Sequence, residues 1–352
     1  MAPTAGPGLA MRMRIEQADP ADLRKARECH EVYLAAGRVD EPGGPWFTDR
    51  AFGAWLAVGW DGNPREVWLA TEDGSVTGWY RLELPARENL DHANLDLTVH
   101  PAARRRGLGL ALLRHAAGRA AENGRTVLDG GARDGSPGEA FAHAAGAKPG
   151  LVDVQRVLDL GTLEKGKLAR LRGPAERAAA GYSLVSWIGP LPEEFTEPMA
   201  ALYNAMSDAP REPGLAPEVW DAGRVREFVS LRPRFGMHDY GVVARHDDTG
   251  ELAGLTEVSV DPDDPGWGHQ LITAVTRKHR GHRLGLLLKV AMLELLATTE
   301  PGLERISTWN AESNAHMVAV NDALGYVRYG PPVTWSHLDV AAVPGPAGPA
   351  ED

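Results

Sequence analysis

The sequence predicts an α/β (α+β) chain built from two fused copies of one domain, and three observations carry that reading. The chain has 352 residues, room for two domains of ordinary size. Strand and helix patterns follow one another in the same order twice. Matched residues recur 176 to 180 positions apart, far beyond the ~20–50 residues of a solenoid unit, so the repeat is a duplicated domain.

The elements follow in order. Residues 20–37 carry Leu23, Ala26, Val32, Tyr33 and Ala36 near helical spacing. Strands are expected at 66–70 and 76–84 around a Glu-Asp-Gly-Ser turn, and at 93–99. A helix over 108–122 stops at Asn123-Gly124. A short strand at 125–128, a helix at 138–145 and a strand at 152–160 complete the first half. The second half opens with a strand at 182–188 and helices at 193–207 and 217–231. A hairpin at 240–245 and 252–260, a strand at 270–275 and an apolar helix at 284–297 come next. A strand at 304–309, a helix at 314–324 and a strand at 334–340 end it. Val99, Arg104, Leu108, Gly109 and Gly146 match Val275, Arg280, Leu284, Gly285 and Gly325. The expected division is a domain over 12–160, a linker over 161–180 rich in charge, Gly and Ala, a domain over 181–340 and a disordered, low-complexity tail over 341–352.

Composition excludes several classes. Apolar residues make up 43% and charged residues 24%, an ordinary globular mixture. No apolar run approaches the ~20 residues that cross a bilayer. Residues 1–10 are small and Pro/Gly-rich without an apolar core, so no signal peptide is read there and the expected location is cytoplasmic. A net charge of −11 argues against nucleic acid as partner and mildly favours a cationic acceptor. Cys29 is the only cysteine, which rules out an internal disulfide and a cysteine metal cluster. It is expected as a small buried apolar residue. No metal is expected.

The chemistry-bearing stretch is Arg104-Arg105-Arg106-Gly107-Leu108-Gly109, set between a strand ending at Val99 and a helix. Glycines let backbone N–H groups approach a ligand. A helix N-terminus supplies unpaired donors and partial positive charge, which suits a pyrophosphate. Arginines add forked donors for phosphate oxygens. The stretch lacks the third glycine of a dinucleotide fold and the Gly-Lys-Ser/Thr of a P-loop. After Val275 the second half repeats it as Arg280-Gly281-His282-Arg283-Leu284-Gly285, with Arg283 in place of the first glycine. That side chain would either obstruct the pyrophosphate path or add charge to it.

These residues resemble the acetyl-CoA signature of the GNAT superfamily, Arg/Gln-x-x-Gly-x-Gly/Ala, with Arg104, Gly107 and Gly109 at the defining places. Asn314 through Gly325-Tyr326 resembles that family's asparagine helix, with Asn321 where the family often has tyrosine; the first half has Ala142 there. Asn314 also suits a helix N-cap. The resemblance covers about residues 12–340. It implies two domains of mixed, mostly antiparallel twisted sheet flanked by helices. It implies acetyl-CoA as co-substrate, held by both loops and by an asparagine such as Asn310 or Asn314. It also implies direct attack of an amine on the thioester, with backbone N–H groups of the preceding strand stabilising the oxyanion. Asn321 leaves the tyrosine's role as acid empty or filled from elsewhere.

A base is needed for the attacking amine. His269, eleven residues before Arg280, stands where several family members carry their base. Thr273 is expected on the same strand face by alternation, and Glu257 on the neighbouring strand is the next candidate. Asp96 and Glu83 are weaker counterparts in the first half, and Trp267 and Trp309 are candidates to line an acceptor pocket. The second half is the favoured catalytic one. The expected activity is acetylation of a primary amine on a small metabolite (an amino sugar, amino acid or antibiotic-like compound) by a monomer or homodimer. Protein amine acetylation and a non-catalytic acyl-CoA sensor are the alternatives.

Overall fold

A computed structural model describes residues 13–343 apart from Pro20 and Pro213. Residues 344–352 of the expected tail lie outside the described residues. The first half contains β1 (Arg14–Ala18), α1 (Leu23–Asp40), α2 (Asp49–Val58), β2 (Arg65–Glu72), β3 (Ser75–Glu83), β4 (His92–Val99), α3 (Leu108–Glu122), β5 (Val127–Arg133), α4 (Pro137–Ala144) and β6 (Lys148–Asp159). After α5 (Lys167–Ala178) come β7 (Tyr182–Ile188), α6 (Glu193–Asn204), α7 (Ala222–Leu231), β8 (His238–His246), β9 (Leu252–Val260) and β10 (Trp267–Val275). Then follow α8 (Leu284–Thr299), β11 (Arg305–Ala311), α9 (Ala315–Leu324), β12 (Val327–Arg328) and β13 (Val333–Asp339).

Local chemistry starts most helices where the sequence allows. Asp22 accepts hydrogen bonds from the Arg24 and Lys25 N–H groups and caps α1, so the helix begins after the position expected for it. Thr48 caps α2, a helix absent from the sequence reading. The segment read as a linker carries α5, whose Ala175 is fully buried, as is the nearby Ala179, in the core beneath α8. It is therefore part of the second half's packing rather than a spacer.

All strands join one sheet in the order β1-β2-β3-β4-β5-β13-β6-β11-β10-β9-β8-β7, with β12 beside β6. The sequence reading has β6 closing the first half and β13 the second. Instead they exchange. β6 runs antiparallel to β11 from Arg305↔Asp159 to Ala311↔Asp153. β13 runs antiparallel to β5 from Val333↔Arg133 to Asp339↔Val127. Because the halves are copies, each offers an equivalent edge, and alternation in one strand does not say which edge it joins. Each half has its helix-covered core: Leu112, Leu113 and Ala116 of α3 against Tyr80 and Leu82, and Leu287, Leu288 and Met292 of α8 against Val242 and Val258.

Candidate active site

In both halves the strand before the signature loop splays from its parallel neighbour. β4 pairs with β5 only over residues 92–94, and β10 with β11 only over 267–269. Beyond those points one edge of β4 and of β10 lacks a strand partner and offers its N–H and C=O groups to a ligand. Each wedge opens toward the N-terminus of α3 or α8. Neither helix has a side-chain N-cap bond, so the first-turn N–H groups remain available for an anion.

The two loops share one backbone path. In the first, Arg105 and Gly107 have φ of 63° and 84°; in the second, Gly281 and Arg283 have φ of 90° and 54°. Arginine and glycine have exchanged places over the same two left-handed positions. Arg283 therefore keeps the turn, and it and Arg105 are exposed beside the helix start. Arg104 and Arg280 brace the loops instead. Arg104 donates through Nε to the Val99 carbonyl at 3.1 Å and through both Nη atoms to Asp40. Arg280 repeats this with the Val275 carbonyl at 3.2 Å and Asp208 at 2.7 Å. Arg106 pairs with Glu72 at 2.9 Å. Of the basic residues expected to face phosphate, these three are thus engaged elsewhere. His282 contacts the Ala178 carbonyl at 3.3 Å, and Leu108 and Leu284 are buried core residues. A Cβ on Gly109 would stand 3.5 Å from Phe141, whereas one on Gly285 would meet only Val275 at 4.0 Å.

Away from the loops the halves differ. Gly78 pairs with Val99 and Gly254 with Val275, which fixes the cross-strand equivalence. Three residues along, the first half has Arg81 and the second has Glu257. Arg81 lies 4.0 Å over the Trp55 ring and is ion-paired to Asp96 at 2.8 Å and to Glu83 at 3.3 Å. The first half's candidate carboxylates are consumed by it, and Phe52, Trp55 and Trp79 fill the space in front.

In the second half that space is a cavity of about 360 Å³. Its wall includes Tyr203, Trp220, Phe228, Leu271 and Ile272, with Glu257 among them. Trp60 of the first half stacks on Phe235 at 4.4 Å and completes the rim. The Glu257 carboxylate accepts a hydrogen bond from Tyr203 Oη at 3.3 Å and lies 3.9 Å from Arg232 Nη1. Burial holds its pKa above the ordinary carboxylate value, against the pull of Arg232. Arg232 is itself held by Asp239 at 2.8 Å.

A bulge in β10 decides which strand residues reach the cavity. The register passes from Gln270↔Val258 to Ile272↔Glu257, leaving Leu271 unmatched. Gln270 Nε2 donates to the Glu257 and Ile272 carbonyls at 2.6 and 3.0 Å and holds the bulge. The first half's β3–β4 ladder has no such break. The extra residue corrects the face expected for Thr273. His269 lies opposite Ser259 and Thr273 opposite Thr256, so the two are on opposite faces. Thr273 bonds Thr256 at 2.9 Å on the core side. His269 contacts Ser307 at 3.3 Å, and burial holds its pKa down, but it does not line the cavity. Trp267 is buried and Trp309 sits under the Arg133 guanidinium at 5.1 Å; neither lines the cavity. Cys29 is fully buried, its thiol pushed up to about 12 by burial.

Asn314 caps α9 through the Met317 N–H at 3.2 Å. Asn310, half-buried on β11, accepts from Asn321 Nδ2 at 2.6 Å. Asn321 in turn accepts from Lys289 Nζ at 2.8 Å. Lys289 is a residue the sequence reading missed, although a single charge within the run Leu284–Leu293 signals it. In the first half Leu113 and Ala142 take the places of Lys289 and Asn321. Burial lowers the Lys289 pKa from its ordinary 10.5 to about 7. The unfolded chain therefore binds an extra proton between about pH 7 and 10.5, so stability rises with pH across that window. Lys289→Met is expected to flatten this rise relative to wild type, by up to about 1.4 kcal/mol per pH unit. Urea unfolding of both proteins over that range measures it.

The comparisons with known proteins agree with this architecture. Residues 63–140 match the model described as acetyltransferase (GNAT) domain, and residues 199–326 that of the acetyltransferase (GNAT) family. The chain is 30% identical over 264 residues to a mycothiol acetyltransferase of Mycobacteroides abscessus, spanning 73% of this chain and 80% of that protein. It is 26% identical over 275 residues to a mycothiol acetyltransferase of Salinispora tropica, spanning 74% and 77%. Among solved structures, a tandem GNAT protein from the clavulanic acid biosynthesis pathway superposes with a TM-score of 0.76 at 29% identity, over 96% of this chain and all (100%) of that one. A GCN5-related N-acetyltransferase from Sphaerobacter thermophilus shares the fold with a TM-score of 0.66 at 15% identity, over 93% and 96%.

Proposed function

This chain belongs to the GNAT family as a tandem, acetyl-CoA-dependent N-acetyltransferase, and from that premise we propose that its second half acetylates a small primary amine, with Glu257 as base. The observation that carries the reading is the exchange of Glu257 for Arg81 at equivalent positions, with an open cavity before the first and packed aromatics before the second. Acetyl-CoA enters the wedge between β10 and β11 with its pyrophosphate at the α8 N-terminus and Arg283 beside it. The amine sits in the cavity and gives a proton to Glu257. Its nitrogen then forms a bond to the thioester carbon, the carbon–sulfur bond breaks, and the nitrogen's remaining excess proton passes to the departing thiolate, so that amide and CoA thiol are the products.

The lining narrows the acceptor. Trp220, Phe228, Leu271 and Ile272 suit an apolar body, while Glu257 suits the amine. An amino sugar would bring hydroxyls to a largely apolar wall on which Arg232, Asp239 and Ser259 are already bonded to one another. The small-molecule names of the relatives support a metabolite over a protein acceptor. A panel of aryl- and alkylamines, amino sugars and lysine peptides, followed by CoA thiol release, tests this. Release is expected with the apolar amines. Release only with lysine peptides would reverse the assignment. Acetyl-CoA binding without release from any amine would point to a sensor.

A further inference from the structure

We infer that His92, Asp129 and His337 form a binding site for a divalent transition ion of the zinc class at the junction of the two halves. The inference does not rest on the acetyl-transfer reading. One donor atom from each of the three side chains lies within 4.8 Å of the others. They come from β4, β5 and β13, so the exchanged C-terminal strand supplies the third. His92 Nδ1 stands 2.7 Å from one Asp129 oxygen and His337 Nδ1 stands 2.5 Å from the other.

The surroundings fit a metal site better than a chance contact. Ligating histidines commonly donate their second N–H to a carboxylate, which fixes the tautomer that presents the other nitrogen. His337 Nε2 contacts Glu212 at 2.8 Å, and Glu212 is itself anchored on the Leu151 N–H at 2.6 Å. His92 Nε2 faces Asp91 at 3.9 Å. Asp129 and Glu212 are both buried, so their charges gain from a cation within reach. Two imidazoles and one carboxylate are a donor set for zinc or iron rather than calcium or magnesium. Three protein donors leave a fourth position open. His92 and Asp129 border a polar cavity of about 300 Å³ that would supply it with water or a ligand. Seating an ion requires the donors to part to ~3.3 Å, the spacing of tetrahedral ligands about 2.0 Å from zinc. It also releases the protons they now share.

The duplication provides an internal contrast. From the strand registers, the second half has Trp267, Ser307 and Val157 at the matching positions. The ligand set is thus confined to one side of the molecule.

The test is calorimetric titration of the tag-free, chelator-treated full chain with Zn²⁺, with Co²⁺ absorption as the second readout. Wild type is expected to take up one equivalent and to gain thermal stability from it. His92→Gln and His337→Gln, checked for folding by circular dichroism, are expected to weaken binding more than tenfold and to lose the Co²⁺ visible bands. Glu212→Gln is expected to keep the stoichiometry and weaken affinity about tenfold. No uptake by wild type overturns the inference. So does equal uptake by wild type and the histidine variants, which would place the ion elsewhere and leave the cluster as a hydrogen-bonded chain between the halves.

Discussion

Glu257→Gln is expected to lower kcat for CoA release at least a hundredfold while leaving acetyl-CoA affinity within about twofold, since general base catalysis contributes about 10²–10⁴. Glutamine keeps the shape and the acceptor oxygen facing Tyr203 Oη, which stands 3.3 Å from the carboxylate, so the fold should survive. What it loses is the ability to take the proton. The same group predicts the form of the pH profile. Burial raises the Glu257 pKa above the ordinary carboxylate value. Only the ionised form accepts a proton, so activity should fall as pH drops through that raised pKa. The amine's own ionisation also limits rate at low pH, but that limb moves when the acceptor is changed. The limb that stays fixed across two amines of different pKa, and vanishes in Glu257→Gln, belongs to Glu257. An unchanged kcat in the variant would remove Glu257 from the chemistry.

Much of the molecule can be read from residues alone. The duplication, the two loops and the apolar cores of α3 and α8 follow from spacing, because each depends on residues close in sequence. Other features depend on which strands meet. Alternation identifies β6 and β13 as strands, but in a duplicated chain each finds the same kind of edge in either half, and the exchange between halves is invisible. A one-residue bulge at Leu271 reverses the faces of everything beyond it. This is why Thr273, expected to orient substrate or water, falls on the core side; of the two base candidates only Glu257, on β9, lines the cavity. The equivalence of Arg81 and Glu257 needs the cross-strand pairs Gly78↔Val99 and Gly254↔Val275.

The arginines of the signature illustrate the same limit. Composition marks Arg104 and Arg280 as phosphate donors, yet each has an aspartate from a preceding helical segment within hydrogen-bond reach. They serve to fix the loop. The cavity wall could not be anticipated either, since it is assembled from residues between Trp60 and Ile272 that share no pattern. Lys289 was legible in principle. A charge within an apolar helical run must find a buried partner, and Asn321 supplies it at 2.8 Å.

The central claim is that one half carries the turnover, and blocking each loop in turn tests it most directly. The backbones of the two loops are alike, so a tryptophan at Gly109 or at Gly285 obstructs the matching approach to its helix start. A Cβ at Gly285 meets nothing closer than 4.0 Å, so the larger side chain stands in the space intended for the cofactor rather than in the core. CoA release with a reactive amine, followed in both variants, is the measurement. Gly285→Trp is expected to abolish release, by more than a hundredfold. Gly109→Trp is expected to retain at least half of the wild-type rate. Loss of activity in Gly109→Trp with Gly285→Trp unaffected would contradict the account and assign the chemistry to the first half.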